Sequence, residues 1–133
     1  MGMKSGTSPY GNIARPLNPT TLALAYGATF VARTFSRERD MVSELIAKAI
    51  QHKGFSFIHD LSPCVVFNKV VTYDSWNDAA AKLPEEHDIL DRSRAMVLAE
   101  STAPIYQGLF FREEIPSFDD HVQEVKDGIN QPA

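Results

Sequence analysis

The residue whose type and position best suit a chemical role is Cys64, the single cysteine of the 133-residue chain. It stands in the segment Ser62-Pro63-Cys64-Val65-Val66-Phe67-Asn68, directly after a predicted strand. In α/β folds the loops at the carboxyl ends of parallel strands are where ligands bind. The thiol therefore has two possible roles: a buried structural group, or one ligand of a metal cluster whose other ligands lie elsewhere. Position alone favours the buried structural thiol.

Other catalytic arrangements around Cys64 are poorly supported. No motif accompanies a Cys–His pair, and His59, on the preceding predicted strand, is expected to be a packed or surface imidazole. A zinc site needs three or four closely spaced ligands, and the chain contains no CxxC. The chain also has no GxGxxG, GxxxxGK[ST] or GxSxG. No self-contained cofactor or nucleophile site is therefore predicted.

Three acidic stretches are weaker candidates. Residues 84–88, Pro-Glu-Glu-His-Asp, could in principle bind a metal. The favoured interpretation is a solvated, negatively charged segment just before Ile89, where the next helix starts. Glu113-Glu114 and Asp119-Asp120 are predicted to lie on the surface. His121 falls in an amphipathic helix and is predicted to contact solvent or a partner.

The elements that position Cys64 follow from periodicity and turn residues. A helix should open at Asn18-Pro19, with Asn18 as its N-cap, and end at Gly27. Two apolar segments, Ala28–Phe35 and Phe55–Leu61, are predicted strands. Between them lies an amphipathic helix, predicted to be capped by Ser36 and stopped by Gly54. This order predicts a βαβ unit with parallel strands and a right-handed crossover.

The rest of the chain predicts two helices, Asp74–Leu83 and Ile89–Ser101, a strand at Ile105–Arg112 and a last helix at Pro116–Asp127. The expected class is α/β, a partial parallel sheet followed by a C-terminal helical and strand extension. Domain bounds are predicted at 1–18 (extended lead-in), 19–68 (α/β part) and 69–133 (extension). Because so few strands give a thin core, the sheet is expected to be incomplete as the chain stands.

Composition excludes several classes of protein. The chain is 44% hydrophobic and 23% charged, as in a globular domain, and its length suits one domain. A net charge of −4 disfavours nucleic acid as the main partner. The longest apolar stretches are too short to cross a bilayer, and the first residues lack the apolar core of a signal peptide. Together with the single cysteine, this predicts a cytoplasmic protein with no membrane partner.

Several blocks of sequence together resemble one family. The blocks are Ala23-Leu24-Ala25-Tyr26-Gly27-Ala28-Thr29-Phe30-Val31-Ala32-Arg33, His52-Lys53-Gly54-Phe55-Ser56-Phe57, the Ser62–Asn68 segment, and Gly108-Leu109-Phe110-Phe111-Arg112. They resemble the β subunit of 2-oxoacid:ferredoxin oxidoreductases, the thiamine-diphosphate-binding subunit. The resemblance covers nearly the whole chain but only the C-terminal half of such a subunit. Residues 19–68 then correspond to the C-terminal part of the thiamine-diphosphate-binding domain.

The resemblance implies an activity that the residues alone do not. The family oxidatively decarboxylates a 2-oxoacid with coenzyme A, giving acyl-CoA, carbon dioxide and reduced ferredoxin, in a complex with an α subunit. Glu86-His87-Asp88 and Gly108–Arg112 look more like the 2-oxoglutarate or broad-specificity two-subunit enzymes than the single-chain pyruvate enzymes. The alternative is a stand-alone, non-catalytic α/β interaction module with a buried structural cysteine.

The resemblance also implies cofactors. The full enzyme uses thiamine diphosphate, Mg²⁺ and iron–sulfur clusters, and the correspondence makes Cys64 the late ligand of a [4Fe–4S] cluster, which reverses the preference from position. The family's Gly-Asp-Gly-Asp motif, its Asn-x-x-Tyr-Gly segment and three further cluster cysteines are not in this sequence. The isolated chain is therefore expected to bind no cofactor and to be inactive. Its turn-rich start favours a piece cut from a longer chain, and a split subunit or a remnant with another role are the alternatives. With half of the subunit missing, an uncovered sheet edge and self-association of the isolated chain are expected.

Overall fold

The computed structural model describes residues 2, 4, 6, 8–64, 66 and 72–129. In this part of the chain helices and strands alternate along one α/β unit. They are α1 (Pro19–Ala25), β1 (Phe30–Phe35), α2 (Arg39–Gln51), β2 (Ser56–Leu61), α3 (Tyr73–Ala79), β3 (Ala80–Lys82), α4 (Arg92–Glu100), β4 (Ile105–Arg112) and α5 (Phe118–Ile129).

The strands form one sheet in the order β2-β1-β4-β3. Strands β1 and β2 are parallel, from Phe30 opposite Ser56 to Phe35 opposite Leu61, which confirms the βαβ unit. Strand β4 runs antiparallel to β1, and β3 runs parallel to β4. The sheet is therefore mixed, and its parallel β1–β2 half is the part that carries the Cys64 loop.

Helix α1 forms as its sequence predicts. The Asn18 side chain accepts hydrogen bonds from the backbone N–H groups of Thr20 and Thr21, and Pro19 occupies the first helical position. Gly27 follows the helix with φ +83°, in the left-handed region that only glycine adopts freely. The predicted cap and stop are both confirmed.

The predicted cap of α2 is wrong. The helix begins at Arg39, and its N-cap residue, Glu38, makes no side-chain capping hydrogen bond. Ser36 instead extends the sheet, because its backbone N–H donates to the carbonyl of Leu61 at 3.0 Å. The Ser36 hydroxyl is buried, with no hydrogen-bond partner among the described residues.

The predicted helix Asp74–Leu83 is wrong in its second half. Helix α3 ends at Ala79, and Ala80–Lys82 form β3, paired with Ile105–Gln107 of β4. The pairing continues at Leu83, whose N–H donates to the Gln107 carbonyl at 3.0 Å. Two alanines favour helix locally, but the hydrogen bonds of the ladder decide the conformation.

The last elements agree with the prediction apart from their ends. Helix α4 begins at Arg92, later than the predicted Ile89, because the Asp91 side chain caps it by accepting from the Arg94 N–H at 2.9 Å. Strand β4 occupies the predicted range, and α5 begins at Phe118. No helix of the described chain is long and apolar enough to span a membrane.

The core lies on both faces of β1, all six residues of which are buried. Phe30 and Ala32 face α2 and pack with Leu45. A larger cluster lies on the side of α1 and α4: Ala23, Leu24, Ala28, Val31, Ala95, Leu98, Ala99, Phe110 and Phe111. Because helices cover both faces of the sheet, the polar side chains that a ligand could reach lie mainly at the ends of the strands.

Candidate functional site

The Cys64 loop begins at the carboxyl end of β2. Pro63 is buried and anchors the loop, whereas Cys64 is exposed. The exposure contradicts the buried structural thiol expected from position alone. Val65, Phe67 and Asn68 of the Ser-Pro-Cys block, with the predicted domain boundary at 68, lie outside the described residues.

A buried arginine, Arg33, lies near the carboxyl ends of β1 and β2. Arg33, in β1, is only 4% exposed. Its Nε donates to Thr20 Oγ1 at 3.2 Å and its Nη1 to the Tyr106 carbonyl at 3.3 Å. Its Nη2 donates to the Ala99 carbonyl at 2.9 Å and to Asn18 Oδ1 at 3.3 Å. One guanidinium thus joins the segment before α1, α1 itself, the end of α4 and β4.

Within the described ranges Arg33 makes no direct ion pair, and backbone carbonyls and polar side chains surround its charge. Burial lowers the pKa of Arg33, and the nearby carboxylate of Glu100 opposes that shift. Glu100 accepts hydrogen bonds from Thr21 Oγ1 at 2.6 Å and from Asn18 Nδ2 at 3.3 Å. Because an arginine stays protonated in proteins, the site keeps a fixed positive charge.

His59 lies directly across the ladder from Arg33. Its Nδ1 is 3.1 Å from Thr20 Oγ1, the hydroxyl that also accepts from Arg33. Burial, and then the charge of Arg33, lower the pKa of His59, while Asp60 acts in the opposite direction. Both causes favour the neutral imidazole, and of the two expected positions, packed or surface, His59 is half-buried against the Arg33 network.

A cavity of about 260 Å³ opens over this network. It is lined by Asn18, Arg33, His59, Leu61 and Trp76, together with residues 99–102. Most of the cavity wall is apolar, and its few polar groups include one buried cation, which suits binding and orientation of a polar group more than proton transfer.

The residues present do not make a complete cofactor site. Among the described residues no three His, Cys, Asp or Glu side chains stand close enough to hold a metal ion. Of the described residues at this edge, Cys64 is the one that could serve an iron–sulfur cluster as a thiolate ligand. The thiamine diphosphate motif is also not in the sequence, so no step through that cofactor follows from these residues.

The acidic segment at residues 84–88 is solvated, as favoured. The side chains of Glu85, Glu86 and Asp88 are exposed. His87 Nε2 donates to the Phe110 carbonyl at 2.8 Å, so this histidine ties the segment to β4. The segment precedes α4 by several residues and does not begin the helix itself.

The remaining predicted surface groups divide into two kinds. Most are exposed: Glu113 makes an ion pair with Arg92 and Glu114 with Arg112, and His121 Nδ1 lies 3.4 Å from Glu124 Oε2. Asp119 is exposed too. Asp120 is different, because it caps α5 by accepting from the Ser117 N–H and hydroxyl, each at 2.8 Å. These bonds lower the pKa of the Asp120 carboxyl.

Sequence reasoning did not single out Arg33 or His52. His52 closes α2 at the opposite end of β1, is buried, and has Nε2 2.8 Å from Thr29 Oγ1. The signal for Arg33 is a cation inside an otherwise apolar strand, because such a residue needs buried acceptors. His52 has no comparable signal, because a histidine in the last turn of a helix is common.

Comparison with known proteins assigns both halves of the chain. Residues 64–127 match the family model for the C terminal of the pyruvate ferredoxin oxidoreductase beta subunit. Residues 1–59 match the model of the thiamine pyrophosphate enzyme, C-terminal TPP binding domain. The chain belongs to the β-subunit family of 2-oxoacid:ferredoxin oxidoreductases. The family resemblance of the sequence is thereby confirmed.

Individual relatives agree with this assignment. The chain is 35% identical over 134 residues to the 2-oxoacid:ferredoxin oxidoreductase subunit beta of Saccharolobus solfataricus, covering 88% of this chain and 42% of that protein. It is 30% identical to the 2-oxoglutarate synthase subunit KorB of Archaeoglobus fulgidus, covering 94% and 44%. The chain therefore spans less than half the length of these relatives.

A solved structure gives the same result in three dimensions. It is a 2-oxoglutarate:ferredoxin oxidoreductase from Magnetococcus marinus with 2-oxoglutarate, coenzyme A and succinyl-CoA bound. The TM-score is 0.92 at 33% identity, over 99% of this chain and 46% of that chain. The α/β class with a partial thiamine-diphosphate-binding fold is confirmed.

Proposed function

We propose that this chain is the C-terminal part of a β subunit that, with an α subunit, oxidises a 2-oxoacid. The reaction converts the 2-oxoacid and coenzyme A to acyl-CoA and carbon dioxide, and its two electrons reduce two ferredoxins by one electron each. The match over residues 1–59 supports thiamine diphosphate, with Mg²⁺, as the cofactor of the complete subunit. A single cysteine and low-potential electron transfer suit a reducing, cytoplasmic location.

Within that function, 2-oxoglutarate is the favoured substrate, with pyruvate as the alternative. Two observations support this choice: the KorB relative is a 2-oxoglutarate synthase subunit, and the similar structure holds 2-oxoglutarate and succinyl-CoA. Ferredoxin reduction by the assembled enzyme, measured with each 2-oxoacid at equal concentration, tests this. A higher kcat/KM for pyruvate would reverse the assignment.

Cys64 is proposed as one thiolate ligand of a [4Fe–4S] cluster. The observation that carries the role is an exposed thiol at the carboxyl end of a parallel strand, where the β-subunit family match begins. The other three thiolates, like the residues that hold thiamine diphosphate and Mg²⁺, belong to the part of the subunit that this chain does not span.

The test replaces Cys64 by serine in the assembled enzyme. We expect Cys64→Ser to lose the iron of one cluster and the corresponding EPR signal, because serine is a poor substitute for a thiolate ligand. Ser62→Ala, two residues away in the same loop, is the matched control and should keep both. Unchanged iron content and electron transfer in Cys64→Ser would reject the ligand role. A folded, iron-free chain with no oxidoreductase partner would instead support the stand-alone interaction module.

A further inference from the structure

A different cavity, of about 250 Å³, lies between the start of α2, the loop from β3 to α4, and β4. The proposed reaction makes no use of it. Most of its wall is apolar and is formed by Met41, Leu83, Pro84, Ile89 and Leu109. Apolar walls with a few well-placed polar groups are typical of sites for small molecules. The polar groups of this cavity therefore decide what it can bind.

A bulge in β4 fixes the first of these groups, His87. In the β1–β4 register Phe110 is an extra residue, between the partners of Val31 and Ala32. The extra residue of a bulge is not held by the ladder. Its carbonyl accepts from His87 Nε2 at 2.8 Å. Because the proton of the neutral ring is then on Nε2, His87 Nδ1 carries a lone pair and is a hydrogen-bond acceptor.

Gln107 supplies the second polar group. This residue of β4 lines the same cavity as His87 and is only 8% exposed. Both Gln107 Oε1 and His87 Nδ1 are buried, and neither has a hydrogen-bond partner among the described residues. Buried polar atoms in folded proteins are nearly always paired, because an unpaired atom has lost its water without compensation. The cavity thus presents two acceptors to the donors of a molecule that enters it.

Charge and size narrow the class of that molecule. Of the described residues that line the cavity, only Lys82 and His87 can carry a charge, and either charge would be positive, which disfavours a cation. The volume equals that of about eight water molecules at about 30 Å³ each, so one bridging water would leave most of the apolar wall uncovered. A primary carboxamide meets these conditions, because it is neutral, carries two N–H donors on one nitrogen and can have an alkyl body.

We propose that this cavity binds a small aliphatic primary carboxamide, whose two N–H groups donate to Gln107 Oε1 and His87 Nδ1. The alkyl chain of the ligand lies against the apolar side chains of the wall, such as Met41 and Leu109. The bound molecule joins the loop after β3 to β4. The site goes beyond the proposed function and does not depend on it, because its residues belong neither to the Cys64 loop nor to the Arg33 network.

Saturation-transfer NMR tests the site, because it detects weak ligands of large assemblies. The chain, tagged at its own gene, is purified from its native cells as the assembly that it forms. The probes are butyramide, 2-pentanone, which has a methyl group in place of the amide nitrogen, and butyrate. We expect butyramide to bind at least about tenfold more tightly than 2-pentanone, the factor that one net hydrogen bond gives. Equal affinities would overturn the proposal, and so would tighter binding of butyrate, which would indicate a carboxylate held by Lys82.

A pair of variants assigns the binding to this cavity. Gln107→Met keeps the length of the side chain and removes the acceptor, whereas Gln123→Met makes the same change at an exposed position of α5. We expect Gln107→Met to weaken butyramide binding at least about tenfold and to leave that of 2-pentanone unchanged, with no effect of Gln123→Met on either probe. Equal butyramide binding in all three proteins would contradict the proposal. The comparison of the two probes in the unaltered protein needs no variant, so it decides the question even where Gln107→Met fails to fold.

Discussion

A histidine–threonine pair stands at each end of the parallel strands, and the two pairs differ in what surrounds them. Toward the carboxyl end, His59 meets Thr20, whose hydroxyl also accepts from the buried guanidinium of Arg33. At the amino end, His52 meets Thr29, whose hydroxyl accepts instead from the Phe55 backbone N–H at 3.1 Å. The first pair belongs to a charged network across four segments, and the second closes a local turn.

The two ends also differ in the charged groups and cavities around them. The carboxyl end has a fixed charge, a cavity and the exposed Cys64 thiol. The amino end also has a cavity, of about 640 Å³, lined by Lys53, Arg112, Asp120 and Glu124. Its cations are balanced by carboxylates, and the Nδ1 atom of His52 is buried without a partner among the described residues. The two histidine–threonine pairs therefore have similar geometry but different electrostatic surroundings.

Removing the charge of Arg33 at the carboxyl end should have the largest effect on the free energy of unfolding. Arg33→Met keeps much of the side-chain volume but leaves buried acceptors, including the Ala99 and Tyr106 carbonyls, without their donor. We expect a loss of about 3–5 kcal/mol in the free energy of unfolding, measured in urea, because two carbonyl acceptors each lose a hydrogen bond from a charged donor, at about 1.5–3 kcal/mol apiece. Arg94→Met, at an exposed position of α4, should change it by less than about 0.5 kcal/mol. Equal, small losses would mean that Arg33 does not hold this end together.

Gly54→Ala tests the turn at the amino end. Gly54 has φ +125°, and an added Cβ would overlap Thr29 Oγ1 and lie 3.2 Å from His52 Nε2. We expect a loss of about 2–4 kcal/mol, from backbone strain and overpacking together. Gly128→Ala in α5 is the control, because nothing lies within 4 Å of its added Cβ. That variant should be neutral or gain up to about 1 kcal/mol. Tolerance of Gly54→Ala would show that the His52–Thr29 contact can move.

Protonation of His52 and His59 should have a smaller effect on the free energy of unfolding, and this effect appears only at acidic pH. Burial first and a neighbouring arginine second lower the pKa of both: Arg112 acts on His52, and Arg33 on His59. As the pH falls through about 6.5, the unfolded chain takes up protons that the folded chain resists. The free energy of unfolding should therefore fall with falling pH, by at most about 1.4 kcal/mol per pH unit for each histidine.

Urea unfolding between pH 7.5 and 5 measures this dependence. His52→Gln and His59→Gln should each flatten it, because neither variant can take up that proton. Gln51→Asn, at an exposed position of α2, changes no titratable group and is the control for substitution itself. A curve that only one of the two variants flattens would show that one end of the strands admits a proton while folded.

Local signals predicted the parallel half of the fold. The Asn18 cap, the Gly27 stop and the apolar periodicity of α2 act within a few residues. The structure has the cap, the stop and the helix, but of the predicted buried face of α2 it leaves Ile46 and Ile50 exposed. Strand β3 was missed because its partner, β4, lies more than 20 residues further along the chain. Two alanines carry no signal of a ladder that forms only after folding.

The candidate site was predicted unevenly for the same reason. Cys64 was identified by its position after a strand, and its role by the family resemblance. The Arg33 network was not predicted, because its acceptors at Ala99 and Tyr106 lie 66 and 73 residues away. A buried cation shows that acceptors must exist, but the sequence does not say which carbonyls they are.

The central position of β1 sets the order in which the sheet can form during synthesis. Its neighbour β2 follows within about 25 residues, but its other neighbour, β4, ends at Arg112. At about 5–20 residues per second, ribosomes take some seconds to add the intervening chain. Throughout that interval the edge of β1 that β4 will cover is open, and Arg33 lacks its Ala99 and Tyr106 acceptors. Nascent chains of this protein therefore pass through a period in which chaperones, or premature pairing with another strand, compete for the strand at the centre of the fold.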